Sequence, residues 1–124
     1  MTELALLLAA VLLGAIGLTH SWLGEAKLIG PLLAPGRRHG LLEKSGFARA
    51  TLRFAWHLTT IAWWGFAAIL LVAARRPLDG RAVLLATAAT FIASGVITLV
   101  ATRGRHLAWP VFLAVGALAL VPLY

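Results

Sequence analysis

One apolar segment carries a set of side chains that could bind a ligand, spaced to lie on one side of a helix. Arg53, His57, Thr60 and Trp64 follow one another at intervals of four, three and four residues, which is the repeat of a single helical face. Arginine offers a forked set of donors for phosphate or carboxylate, and histidine can donate, accept or bind a metal. Because a charged face is costly in lipid, we expect it to line the interior of a bundle or a cavity.

Three further ionisable side chains lie near the ends of other apolar segments. His20 shares a helical face with Gly17 and Gly24, where a neighbouring backbone or a flat ligand could approach closely. Arg103 and His106 flank a short turn, and helices joined by short turns return to the same membrane boundary. The sequence therefore predicts a pocket at that boundary. Its predicted residues are His20, Arg53, His57, Thr60, Trp64, Arg103 and His106.

The residue types in this pocket allow three kinds of chemistry. The favoured one is an anion site for a phosphate, a carboxylate or a lipid headgroup, held by the arginines. A second is a transition-metal site formed by His20, His57, His106 and Glu25, although the surrounding arginines would repel a cation. A third is a b-type haem held by two histidines. No cofactor is favoured, and the absence of cysteine removes thiolate chemistry, disulfides and Cys-ligated metals.

Glu25 is an acid among many cations on the same side of the predicted membrane. We expect it to form an ion pair, with Arg53, Arg103 or Arg105 as the partner. The alternative is a general base or a metal ligand whose protonation the cations tune.

A stripe of hydroxyl side chains runs along the third apolar segment. Thr87, Thr90, Ser94 and Thr98 are three or four residues apart, so they share a face. We expect these hydroxyls to support tight helix packing. The alternative is a polar path through a small transporter or channel, which would need an acid or an amide at mid-depth, and the chain contains no Asn or Gln.

The elements that position these residues follow from composition. Of the 124 residues, 61% are hydrophobic and 12% are charged, about half the charge of a typical soluble protein. A bilayer-spanning helix needs about 20 apolar residues, and four segments qualify. We predict an all-α integral membrane protein, one domain over residues 1–124, folded as an antiparallel up-down four-helix bundle. The predicted helices cover residues 3–23, 48–74, 81–102 and 106–123, with a longer interfacial loop at 24–47.

That loop pairs apolar residues with cations, which is typical of a segment at an anionic membrane surface. Leu28, Ile29, Leu32 and Leu33 are expected to dip into the membrane there.

The distribution of lysine and arginine predicts an orientation. Eight of them fall on the loop side of the four spans and three on the other side, so the loop should be cytoplasmic and both termini outside. The loop side carries Lys27, Arg37, Arg38, Lys44, Arg49, Arg53, Arg103 and Arg105; the other side carries Arg75, Arg76 and Arg81. The bias toward Ala, Leu, Gly and Arg indicates a bacterial inner membrane. In a membrane protein, the net charge of +7 indicates anionic lipid headgroups as partners, and not nucleic acid.

The function that the sequence favours is binding of an anionic small molecule or lipid headgroup at the cytoplasmic boundary. A non-catalytic accessory subunit of a larger membrane complex is the first alternative, and a homo-oligomer would fit the same composition. A metal- or haem-dependent redox protein and a small transporter or channel are further alternatives. The residues assign no reaction.

Overall fold

The computed structural model describes residues 2–75, 77 and 79–123. Within those residues the chain is helical and contains no strand. Arg76 and Leu78, which belong to the predicted turn between the second and third spans, lie outside the described residues, as do Met1 and Tyr124. The predicted all-helical class is therefore confirmed for the described part of the chain.

The helices follow one another with short connections. In chain order they are α1 (Thr2–Leu23), a π-helical segment (Gly24–Ile29), α2 (Gly30–Leu32), α3 (Leu41–Lys44), α4 (Gly46–Arg75), α5 (Gly80–Thr102), α6 (Ala108–Leu120) and a final 3₁₀ turn (Val121–Leu123).

Three helical stretches are long and apolar enough to cross a membrane. They are Thr2–Leu32 with 31 residues, Gly46–Arg75 with 30 and Gly80–Thr102 with 23, against the roughly 20 that a bilayer requires. The fourth apolar stretch, Ala108–Leu123, is shorter. Large apolar side chains such as Leu12, Leu18 and Phe66 are exposed on these helices, as expected for surfaces that face lipid.

The long helices pack in chain order as an open row. α1 packs on α4, α4 on α5 and α5 on α6, whereas α1 makes no extensive contact with α5 or α6 among the described residues. Small residues set the close approaches: a Cβ built at Gly65 would collide with Thr90 of α5, and one at Gly95 with Leu113 of α6. α4 therefore has protein on two sides, with α1 on one and α5 on the other.

The short turn between α5 and α6, which we call the α5–α6 hinge, begins with two residues in left-handed backbone conformations. Arg103 ends α5 in the left-handed region, with φ 52°, a conformation that costs a non-glycine residue free energy. Its backbone N–H lies against the carbonyls of Leu99 and Val100, and Gly104 follows with φ 74°, where glycine carries no such cost.

The first helix continues past the predicted start of the loop. After Leu23 the chain winds on as the π-helical segment and α2, so helical structure ends at Leu32. Ile29 and Leu33 are buried in the protein at 1% and 8% exposure, while Leu28 and Leu32 are exposed at 48% and 40%. The expectation that all four side chains contact the membrane surface is therefore wrong for Ile29 and Leu33. The physical reason is the π winding, in which the hydrogen bond spans five residues in place of four, so the buried face moves from Gly24 to Ile29.

Candidate functional site: the polar seam between α1 and α4

Two glycines, one in α1 and one at the start of the π-helical segment, let α4 approach closely and define the seam between these helices. A Cβ at Gly17 would lie 2.7 Å from Trp64 Nε1 and 3.3 Å from Thr60 Cγ2. One at Gly24 would lie within the van der Waals radius of the Trp56 indole. The contacts run in opposite chain order: residues from Gly14 of α1 to Glu25 of the π-helical segment meet α4 residues from Trp64 back to Arg53. We call this contact surface the α1–α4 seam.

An ion pair lies at one end of the seam. Arg53 Nη2 lies 2.9 Å from Glu25 Oε1, and Arg53 Nε donates to Glu25 Oε2 at 3.1 Å, a two-point arrangement that fixes both side chains. The guanidinium and the carboxylate side chains are 49% and 39% exposed. Of the three arginines considered as partners of Glu25, the structure places Arg53 there. Glu25 belongs to the π-helical segment, a feature that is frequent at functional sites.

A chain of polar contacts continues from Glu25 into the helix contact. His57 Nε2 lies 3.5 Å from Glu25 Oε2, and His57 Nδ1 lies 2.9 Å from Ser21 Oγ. Ser21 Oγ lies 2.8 Å from Thr60 Oγ1, and Thr60 donates to the Gly17 carbonyl at 3.1 Å. Thr60 is almost fully buried, at 3% exposure. Carboxylate, imidazole and two hydroxyls thus form one connected path between the helices.

His20 occupies the flank of the seam against aromatic rings. Its ring stacks on Trp56 with centroids 4.4 Å apart and planes 6° from parallel, and Trp56 Nε1 donates back to the His20 carbonyl at 3.1 Å. His20 Nε2 lies 2.9 Å from Thr59 Oγ1, whose own proton goes to the Trp56 carbonyl at 2.7 Å. Because Thr59 has no second proton to donate, we assign a proton to His20 Nε2.

Trp64 closes the deeper end of the seam. Its indole Nε1 lies 3.4 Å from the carbonyl of Gly14, and its side chain covers Gly17. The face that the sequence spacing defined, from Arg53 to Trp64, is therefore the face that meets α1.

Of the two remaining predicted residues, His106 lies beside a different face of α4. His106 packs edge-on against Phe54 at 5.2 Å and stacks on Phe47 at 5.9 Å, and its Nδ1 accepts from the backbone of Ala108 at 3.2 Å. Phe54 is one residue from Arg53, which is about 100° around the helix. The structure thus brings together His20, Arg53, His57, Thr60, Trp64 and Glu25, and it places Arg103 and His106 at the α5–α6 hinge.

The four side chains predicted as metal ligands are not arranged around a common point. Among the described residues, no group of three or more His, Cys, Asp or Glu side chains is arranged to hold one. Both ring nitrogens of His57 have protein partners, and the His20 ring is stacked on Trp56. His106 contacts a separate face of α4.

Four of the five hydroxyl side chains of α5 are hydrogen-bonded to their own helix. Thr90, Ser94, Thr98 and Thr102 each donate to the carbonyl four residues earlier, at 2.7–2.8 Å. Their protons are therefore engaged locally, as in ordinary helix packing. Beside them lies an apolar groove of about 320 Å³ between α4, α5 and α6, which Leu58, Phe91 and Phe112 help to line.

Sequence reasoning missed the two hydroxyls that complete the seam, Ser21 and Thr59. Ser21 lies four residues before Glu25 and four after Gly17, so helical spacing placed it on the facing side. The sequence pattern favours its ionisable neighbour His20, whereas Ser21 is the residue that contacts His57 and Thr60 of α4.

The three long apolar helices are those of a helical membrane protein, and among the described residues a cluster of ionisable side chains lies between α1 and α4. Comparison with protein families, with curated proteins and with solved structures finds no match to this chain.

Proposed function

We propose that this chain is a four-span membrane protein that binds the headgroup of an anionic amphiphile at one end of the α1–α4 seam. The observation that carries the proposal is the half-exposed cluster of Arg53, Glu25 and His57 at that end. Ionisable side chains within transmembrane segments are costly there and mark functional sites by default.

Arginine spacing supports the placement of this cluster at the membrane boundary. Arg53 and Arg75 are 22 residues apart in α4, and Arg81 and Arg103 are 22 residues apart across α5. At 1.5 Å per residue each interval is about 33 Å, close to the roughly 30 Å of hydrocarbon in a bilayer. Arg53 then lies at headgroup level, and His57 lies about 6 Å deeper.

The charge around the cluster favours an anion. The segment from Gly24 to Arg53, together with the α5–α6 hinge, carries eight Lys or Arg residues and two Glu residues, a net of +6. Glu25 engages Nε and Nη2 of Arg53 on one side. Since the guanidinium is half-exposed, a phosphate can approach it from the other side and compete with the carboxylate.

The orientation is part of the same proposal. The loop with its cations faces the cytoplasm of a bacterial inner membrane, the termini face outward, and the fourth apolar stretch, Ala108–Leu123, completes the four spans. At about 24 Å that stretch is shorter than the hydrocarbon core, a mismatch that local thinning of the bilayer can accommodate.

Opposite charge changes at the ion pair test the binding. We expect Arg53→Ala to weaken retention of short-chain phosphatidylglycerol about ten- to a hundredfold, because a charge-assisted bond contributes roughly 1.5–3 kcal/mol. Glu25→Gln should tighten retention, because it removes the competing carboxylate. Native mass spectrometry of the purified chain, with phosphatidylcholine as the neutral control, measures both.

Arg75→Ala is the matched control, since Arg75 lies at the opposite end of α4 and should leave retention unchanged. If all three variants retain phosphatidylglycerol equally, the ion pair is structural and the proposal fails.

The open row of helices favours a second candidate function, in which the chain is an accessory subunit of a larger membrane complex or assembles with copies of itself. α1 packs extensively only on α4 among the described long helices, which leaves the rest of its apolar surface free for lipid or another chain. Extraction in native nanodiscs tests this: a stoichiometric second chain, or a second copy of this one, supports it, and a lipid-surrounded monomer contradicts it.

A further inference from the structure

We infer that Ser21 is a nucleophile for acyl transfer, acting on a carboxylic ester of the amphiphile bound at Arg53. The inference rests on the proposed function for its substrate. It adds a reaction to that binding site. It assigns a role to Ser21, which the headgroup does not need, and a second role to His57.

The geometry is that of an acid, an imidazole and a hydroxyl in series. Ser21 Oγ lies 2.9 Å from His57 Nδ1, within the range in which a nucleophile and its base exchange a proton. The other imidazole nitrogen, Nε2, lies 3.5 Å from Glu25 Oε2. When the Ser21 proton points at Nδ1, the neutral ring carries its own proton on Nε2, which is the nitrogen nearer to the Glu25 carboxylate.

The series matches the logic of a serine hydrolase with the two ring nitrogens exchanged. In the best-known triads Nε2 faces serine and Nδ1 faces the acid, but the constellation is recognised by roles and geometry, not by sequence order. Thr60 donates its own proton to the Gly17 carbonyl, so at rest Ser21 donates to Thr60 Oγ1 at 2.8 Å and accepts from His57 Nδ1. The reaction uses the other arrangement, in which the Ser21 proton turns to Nδ1. The Thr60 contact fixes the serine rotamer between the two helices, with Ser21 only partly buried.

The depth of Ser21 fits the ester of a glycerophospholipid. Ser21 precedes Glu25 by four residues, so it lies about 6 Å deeper than the ion pair. Each interfacial layer of a bilayer is about 5–8 Å thick, from its total and hydrocarbon thicknesses. A phosphate at Arg53 would therefore place the acyl ester, which joins the headgroup to the hydrocarbon, near Ser21 Oγ.

The reaction balances with water as the second reactant. Ser21 Oγ adds to the ester carbonyl carbon while its proton passes to His57 Nδ1, and Glu25 stabilises the imidazolium through Nε2. The bond to the alcohol breaks, and the leaving oxygen takes the proton from Nδ1. Water then attacks the acyl-serine, gives its proton to His57, and releases the carboxylic acid as Ser21 Oγ recovers that proton.

A serine-reactive fluorophosphonate probe tests the nucleophile on the full chain in nanodiscs. We expect one covalent adduct, mapped to the Ser21 peptide by mass spectrometry, forming at least tenfold faster than any adduct at Ser45. The mapping uses the unaltered protein, so it does not depend on whether a variant folds. With phosphatidylglycerol in the nanodisc, the same peptide should carry an acyl mass, or free fatty acid should accumulate.

Two variants separate a nucleophile from a packing hydroxyl. His57→Gln, checked for folding by circular dichroism, should slow labelling at least tenfold. Thr19→Ala, on the same helix as Ser21, should leave the labelling rate unchanged, because Thr19 only donates to the Ala15 carbonyl. Absence of an adduct at Ser21, or an equal rate in His57→Gln, overturns the inference. If phosphatidylglycerol is still retained selectively in that case, the proposed binding function stands without the reaction; if Ser21 is labelled but retention is unselective, the binding proposal is the one that fails.

Discussion

Adding a single methyl group at Gly24 should separate α1 from α4. The Trp56 indole lies directly against this glycine, so a Cβ would collide with Nε1, Cε2 and Cζ2 of the ring. The ring cannot move freely, because it is stacked on His20 and donates to the His20 carbonyl. Overpacking of this kind costs about 1–3 kcal/mol, and loss of one interhelical hydrogen bond adds about 0.6–1.7 kcal/mol. The helix propensity of alanine returns at most about 1 kcal/mol.

We therefore expect Gly24→Ala to lower the free energy of unfolding by about 1–4 kcal/mol, measured by SDS titration in mixed micelles with far-ultraviolet circular dichroism. Gly14→Ala on the same helix is the matched control, because a Cβ there meets nothing within 4 Å. It should be neutral or stabilising by up to about 1 kcal/mol. Equal stability of the two variants would refute the close contact between Gly24 and Trp56.

Two further predictions concern the hydroxyls and the orientation. Thr60→Val should lower the free energy of unfolding by about 1–3 kcal/mol, because it removes the hydrogen bonds to Ser21 and to the Gly17 carbonyl. Thr51→Val should be neutral or stabilising, since Thr51 Oγ1 is buried without a hydrogen-bond partner among the described residues. The same SDS titration compares the two variants. Reporter fusions after the last helix should be active only on the outer side of the membrane, and cytoplasmic activity would reverse the orientation.

Hydrophobic composition and helical spacing carried most of what the sequence could predict. Runs of about 20 apolar residues predict spanning helices whatever their neighbours are, and three of the stretches have that length in the structure. The spacing of Arg53, His57, Thr60 and Trp64 predicted a common face, and that face contacts α1. Both predictions depend on local periodicity alone.

The arrangement of the helices needed information that periodicity lacks. The predicted bundle would have brought Arg103 and His106 to the same pocket as His57. In the structure each long helix packs mainly on its neighbours in the chain, and the α5–α6 hinge meets α4 at Phe47 and Phe54. Which faces meet is decided by glycine contacts such as those at Gly65 and Gly95, and glycines are too frequent in membrane helices for each to signal a contact.

The π-helical segment explains why the residues after Leu23 could not be placed from sequence. An α-helix continuing through Gly24 would bury residue 28, four positions later, whereas the wider π turn buries Ile29, five positions later, and then Leu33. The chain has apolar residues at both registers, Leu28 beside Ile29 and Leu32 beside Leu33, so hydrophobicity does not distinguish them. What distinguishes them is the ion pair: Glu25 lies inside the π turn and reaches Arg53 and His57 from there. The segment that carries the acid of the seam is thus also the segment whose winding the apolar pattern leaves open.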